Sequence, residues 1–154
     1  MTLESDIMKY IDKVVNDTEY KHPKLIPVVM PRHTGKTRLY YKLRNKYGQV
    51  QYNGRVRIYD NFERVSFESF LDIIDDFRSK DKIVILIYTL GDDEDFRSKL
   101  ASRHPSIVAK IDGPNIVTKY PDGSTTNVLI ENANPNLSAK KEAEINNIFK
   151  IFKD

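Results

Sequence analysis

Apolar side chains recur at helical spacing over residues 3–18, where Leu3, Ile7, Ile11, Val14 and Val15 alternate with charged positions. That stripe predicts an amphipathic helix within residues 1–22, packed on a sheet and ended by His22-Pro23. Residues 25–30 are an apolar run of strand length, with Pro27 inside it. A proline cannot donate to a ladder, so the first half of this strand is expected at an edge or outside the ladder. The helical period returns from Arg38, with Leu39, Tyr40, Leu43 and Tyr47 facing inward and Gly48 as the stop. Residues 49–52 read as a very short strand closed by Asn53-Gly54, and residues 55–60 alternate as a strand ending on Asp60. Ser66 is placed to cap a helix carrying Phe67, Phe70, Leu71, Ile74 and Phe77 on one face. Residues 82–89 are apolar on both faces and β-branched, which is how a central strand of a parallel sheet reads.

After Gly91 the chain changes character. Asp92, Asp93, Glu94 and Asp95 precede a helix with Phe96 and Leu100 inside and Lys99 and Arg103 near its end, a distribution that suits the helix dipole. A metal site is the alternative, although the cluster lacks the spacing of a calcium loop. Residues 115–131 predict an appended hairpin turning at Asp122-Gly123, which would extend the sheet, meet a partner or form a lid. Ser138 then caps a last helix, 138–152, with Ile145, Ile148, Phe149 and Phe152 on one side. Strand and helix alternate through the first two thirds, so the expected fold is α/β, with a mostly parallel sheet between helices in three layers. At 154 residues without repeats or linkers, 1–154 reads as a single domain.

The strand at 25–30, the residues Pro31, Arg32, His33, Thr34, Gly35, Lys36 and Thr37, and the following helix form the context that a phosphate-binding loop requires. Backbone N–H groups at the new helix start would face an anion. Lys36, read as an exposed loop lysine, would reach the β- and γ-phosphates, and the Thr37 hydroxyl would hold Mg²⁺. The full motif has a glycine five positions before Gly35, where this chain has Met30. A Gly-Lys-Thr in an ordinary loop therefore stays open as an alternative. Asp60, at a strand end, is the candidate for the second Mg²⁺ ligand, against the plainer reading of an Asp capping a loop.

The run from Pro31 to Thr37 resembles the Walker A loop of viral P-loop ATPases, in particular the large terminase (DNA-packaging) family. That resemblance implies a P-loop NTPase using ATP or another NTP with Mg²⁺ in a nucleic-acid process. It also implies a glutamate after the Walker B aspartate, where this chain has Asn61, with Glu63 the nearest acid. Thr89, ending an apolar strand, is similar to the residue that senses the γ-phosphate in these enzymes; a buried β-branched residue is the alternative. Arg32, Arg97 and Arg103 are the candidates for an arginine finger. The short stretches of chain between Lys36, Asp60 and Thr89 imply a minimal core.

Composition changes this picture little. The chain is 40% apolar and 31% charged, with no cysteine and a net charge of +3. No disulfide framework or thiolate zinc site is available, no apolar run is long enough to span a membrane, and the start Met1-Thr-Leu-Glu-Ser-Asp6 lacks the basic and apolar stretches expected of a signal peptide. An intracellular protein is expected, in the host cytoplasm or nucleus or with the virion if viral. Basic residues crowd 36–57 and acids crowd 72–76 and 92–95, but +3 is too small to establish a nucleic-acid binder. Three functions follow: an NTP hydrolase working with nucleic acid or a viral protein complex, as monomer or oligomer; a small kinase; or a non-catalytic module with a vestigial loop.

Overall fold

The computed structural model describes residues 2–17, 24–52, 54–80, 83–91 and 95–133, the side chains of 24 and 77–80 apart. The expected stop at His22-Pro23, the acids Asp92 to Glu94, the Phe77 side chain, Ser138 and the helix 138–152 lie outside these.

Six strands form one sheet in the order β2-β3-β1-β4-β5-β6. They are β1 (Lys24–Val29), β2 (Val56–Tyr59), β3 (Ile83–Tyr88), β4 (Ile107–Asp112), β5 (Asn115–Lys119) and β6 (Thr125–Leu129). The first four run parallel, while β5 is antiparallel to β4 and β6 to β5. The fold is therefore α/β with a mostly parallel sheet, and the hairpin at 115–131 extends that sheet.

All six residues of β3 are buried, as expected for a strand covered on both sides. Ile83, Ile85 and Ile87 join a cluster with α1 (Leu3–Val15) and α2 (Lys36–Tyr47). Val84, Leu86 and Tyr88 join the opposite cluster with α3 (Phe67–Lys80) and α4 (Phe96–Arg103). The period of two along β3 thus assigns each helix pair its face. No helix among the described residues is long and apolar enough to cross a membrane.

Several expectations need correction. The first helix is Leu3–Val15, shorter than 1–22, because Thr2 and Ser5 close a capping box and Asn16 leaves helical geometry. Residues 50–52 form a 3-10 turn and not a strand. Phe67 and Leu71 are 52% and 45% exposed; the covered face of α3 is Phe70, Ile73 and Ile74. Gly48 does end α2, but at φ −77°, without the left-handed conformation. The strand β4 had no clear signature, since only Ile107 and Ala109 of its residues are fully buried. It turns into β5 through Gly113, whose φ of +59° suits a residue without Cβ.

The first half of β1 was expected at an edge or outside the ladder; β1 is interior and pairs with β3 along its whole length, but its first half has no ladder on the β4 side. Met30 N–H donates to Tyr88, so by alternation Ile26 and Val28 also face β3, while Leu25 and Pro27 face β4. The β4 ladder begins only at Val28. Pro27 therefore sits where no partner awaits its missing N–H. The neighbouring Leu25 carbonyl, exposed by the same gap, accepts from His104 Nε2 at 2.8 Å.

α1 and α2 are cross-linked by charge. Asp12 pairs with Lys46 at 2.9 Å and accepts from the Tyr47 hydroxyl at 3.1 Å. The hydrogen bond from Lys46 holds the Asp12 carboxyl below the usual carboxylate range. A depressed carboxylate stabilises above its unfolded pKa, about 3.9, and loses that contribution as pH falls through the folded value. Asp12→Asn is thus expected to lower unfolding free energy near pH 7 by up to about 1 kcal/mol, the scale of half-exposed ion pairs. Denaturant titrations of both proteins should converge as pH falls through the depressed folded value; a gap that persists once Asp12 is protonated would exclude the ionic origin.

Candidate functional site

The loop between β1 and α2 begins later than the full motif requires. Met30 is almost fully buried in the core and continues the β3 ladder through its N–H. The position that lacks glycine thus prolongs the β1–β3 ladder by one hydrogen bond beyond Val29, and the turn starts at Pro31. Thr34 is buried and donates from its hydroxyl to the Pro31 carbonyl at 2.6 Å. His33 and Gly35 take φ of +62° and +96°. Gly35 is the N-cap of α2 and offers no side-chain cap. The first N–H groups of α2, from Lys36 and Thr37 onward, consequently lack intrahelical partners and a capping oxygen.

Because β1, β2 and β3 are parallel, the residues that follow them share one edge of the sheet. Lys36 opens α2 there, Asp60 follows β2 and Thr89 follows β3. Their side chains, however, do different things. Thr89 donates to the Met30 carbonyl at 2.9 Å, tying the end of β3 to the loop. Asp60 Oδ1 accepts from the Asn61 N–H at 2.8 Å, and Asp60 does not line the cleft beside Lys36. The carboxylate that meets Lys36 is Glu63, at 3.1 Å. Lys36 is only 14% exposed at its side chain, so the expectation of an exposed loop lysine is corrected. Glu63 Oε2 is buried with no hydrogen-bond partner.

Glu63 is held by an anchor that the sequence did not reveal. It sits on a 3-10 turn, Phe62–Arg64, whose N-cap Asn61 has φ +52°. Phe62 is fully buried and makes ring contacts with Phe70, Tyr88 and Phe96. Arg97 donates to the Phe62 carbonyl at 3.0 Å and also to the Val65 carbonyl, and pairs with Asp95 at 2.6 Å. Its guanidinium lies 4.4 Å from the Phe96 ring centroid. Arg97, a finger candidate, is thus committed to framing the Glu63 turn. Arg103 lies exposed in the last turn of α4 and does not line the cleft, whereas Arg32 does. The signal for the anchor was Phe62, an aromatic residue within an apparent loop.

The cleft has a volume of about 920 Å³ and is lined by the loop, the outer face of α2 and the Glu63 turn. Arg32, Lys36, Arg38, Lys42 and Arg64 line it against one carboxylate, Glu63, so it suits an anion. A smaller cavity of about 190 Å³ shares Arg32 and Glu63 and includes Thr89 and Arg97. His33 and Asn61 are the non-glycine residues with positive φ among those described, and both flank this site. Such conformations cost roughly 1–3 kcal/mol and cluster where function requires them.

Arg97→Lys keeps the charge but cannot bond Phe62 and Val65 together in the same fork. Unfolding free energy is expected to fall by about 1–3 kcal/mol, the cost of leaving buried acceptors unpaired. Equal stability of the two proteins in urea would show that the turn does not depend on this arginine.

Comparison with protein-family models, with curated proteins and with solved structures gave no match for this chain.

Proposed function

We propose that this chain is a small P-loop-type domain that binds a nucleoside triphosphate in the 31–37 loop and hydrolyses it. The observation that carries this reading is the uncapped start of α2, with Gly35 left-handed and Lys36 facing Glu63, opening into a cleft rich in positive charge. Glu63 pairs with the Lys36 ammonium that a phosphate would take. Phosphate binding would then exchange one charge partner for another and free the carboxylate.

The residues present fit Mg²⁺. Thr37 offers a hydroxyl at the cleft, and Glu63 Oε2 is a hard oxygen donor lacking a partner. No group of three or more His, Cys, Asp or Glu residues gathers among those described, so the ion would arrive with the phosphates. Thr37 would hold it, and Asp60, at the same sheet edge but outside the cleft lining, would bear on it only through water. When bound, the metal neutralises charge on the transferring phosphoryl group. Glu63 takes the role of orienting and deprotonating the attacking water, which Asn61 cannot do.

The link to nucleic acid, and to viral packaging ATPases, rests on the resemblance of the 31–37 loop. A transferase is the second reading, favoured by the smaller cavity of about 190 Å³ that adjoins the cleft at Arg32 and Glu63.

Lys36→Ala is expected to weaken NTP binding by roughly 10- to 150-fold, the loss of a charge-assisted contact of about 1.5–3 kcal/mol. It should also destabilise the fold by about 1 kcal/mol or more, because Glu63 is then left unpaired. Calorimetry showing equal affinity would sink the phosphate-cradle reading.

Glu63→Gln retains an oxygen for Lys36 and removes basicity. Turnover should fall about 10²- to 10⁴-fold with affinity nearly unchanged. Asp60→Asn should instead raise the Mg²⁺ concentration needed. Wild type without NTP turnover, with or without nucleic acid, but with transfer to an acceptor would select the kinase.

A further inference from the structure

The cleft does not end at the phosphate loop. It continues along the outer face of α2 past Arg38 and Tyr41 to Lys42 and Asn45. Tyr41 is 55% exposed, although the same helix buries Leu39, Leu43 and Tyr47. Its ring is braced edge-on by Tyr40, with centroids 5.3 Å apart and planes at 62°. An exposed tyrosine by itself needs no explanation. This one shares a concave surface with the loop, and among the described residues it is the one large aromatic ring lining it.

Charge is graded along that surface. Arg38 and Lys42, in its middle, are both paired with Glu4, a buried carboxylate of α1. Arg32 and Arg64, at the loop end, have no ion-pair partner among the described residues. Unmatched positive charge therefore gathers at one end, while the other end carries an aromatic face and the Asn45 amide. A ligand that fits is strongly anionic at one end and flat and nearly neutral at the other. Tyr41 lies five residues beyond Lys36, roughly 7.5 Å along the helix axis. That is the reach of a ribose and base beyond phosphates seated at the helix start.

We propose that Tyr41 is the platform on which a nucleobase stacks, so that the ligand of this cleft is a mononucleotide and not inorganic polyphosphate. Asn45 offers both a donor and an acceptor to the edge of that base. A single-stranded nucleic acid suits the surface less well, since such strands follow a charged track with successive stacking platforms. The inference rests on the phosphate-loop reading of residues 31–37 and adds the identity of the far end.

The test is calorimetric titration of the full chain with Mg²⁺ and, in turn, ATP, inorganic tripolyphosphate and a short unphosphorylated oligothymidylate. Tyr41→Ala is expected to weaken ATP about 5- to 150-fold, the factor for loss of one aromatic–base stack, and to leave tripolyphosphate unchanged. Tyr41→Phe should bind ATP as wild type does. Lys36→Ala should weaken both phosphate ligands. If Tyr41→Ala, with an unaltered circular dichroism spectrum, leaves ATP affinity intact or weakens both ligands equally, the platform is wrong while the loop reading survives. Binding of the oligothymidylate alone, lost in Tyr41→Ala, would overturn the mononucleotide in favour of a strand. If wild type binds neither ATP nor tripolyphosphate, the loop reading fails and the platform with it.

Discussion

The structure depends on the need to cover β3 on both faces. Six consecutive buried side chains leave no face of that strand for water, so two helices must pack on each side. Parallel neighbours β1 and β2 follow from that requirement, because each must return to the same edge after its helix. The chain segments after β1, β2 and β3 are thereby brought together without any attraction among themselves. The loop, the Glu63 turn and Thr89 meet at the edge as a result of how the core is filled.

At that edge the polar arrangement is supported from behind by apolar contacts. Phe62 is driven into the core between Phe70, Tyr88 and Phe96, and Arg97 bonds the carbonyls on either side of the turn. Glu63 is thus presented to Lys36 by a rigid mount. The strained backbone at His33 and Asn61 is tolerated because each lies beside such a mount: Thr34 locks to Pro31 next to one, and Phe62 is buried next to the other.

Much of this could be read from the sequence where periodicity was strong. The stripe Leu3, Ile7, Ile11 and the run in β3 identified their elements and their burial. Gly35, between the apolar run of β1 and the periodic segment of α2, located the turn that joins them. What stayed hidden depended on tertiary partners. Residues 107–112 bury too few side chains to mark a strand, and only pairing with β1 and β5 makes them one. Pro27 looked like an edge signal, because a sequence cannot say which neighbour a given N–H would face. Asp60 sat at the right strand end, but side-chain direction, set by the turn at Asn61, gave the lysine to Glu63. Met30 looked like a defect in the motif until its burial showed that the ladder runs one hydrogen bond longer at its expense.

The gap beside Pro27 gives the sheet a mechanical seam. β1 and β4 are joined through two residue pairs, Val28 with Ile107 and Val29 with Val108, while β1 and β3 are joined through six. The β4–β5–β6 meander, tightly paired within itself, meets β1 through this short ladder, with the His104 ring bonded at its open end, and is otherwise held by Ile116 and Tyr120 packing in the core with α1. That ladder lies at the end of β1 from which the 31–37 loop springs.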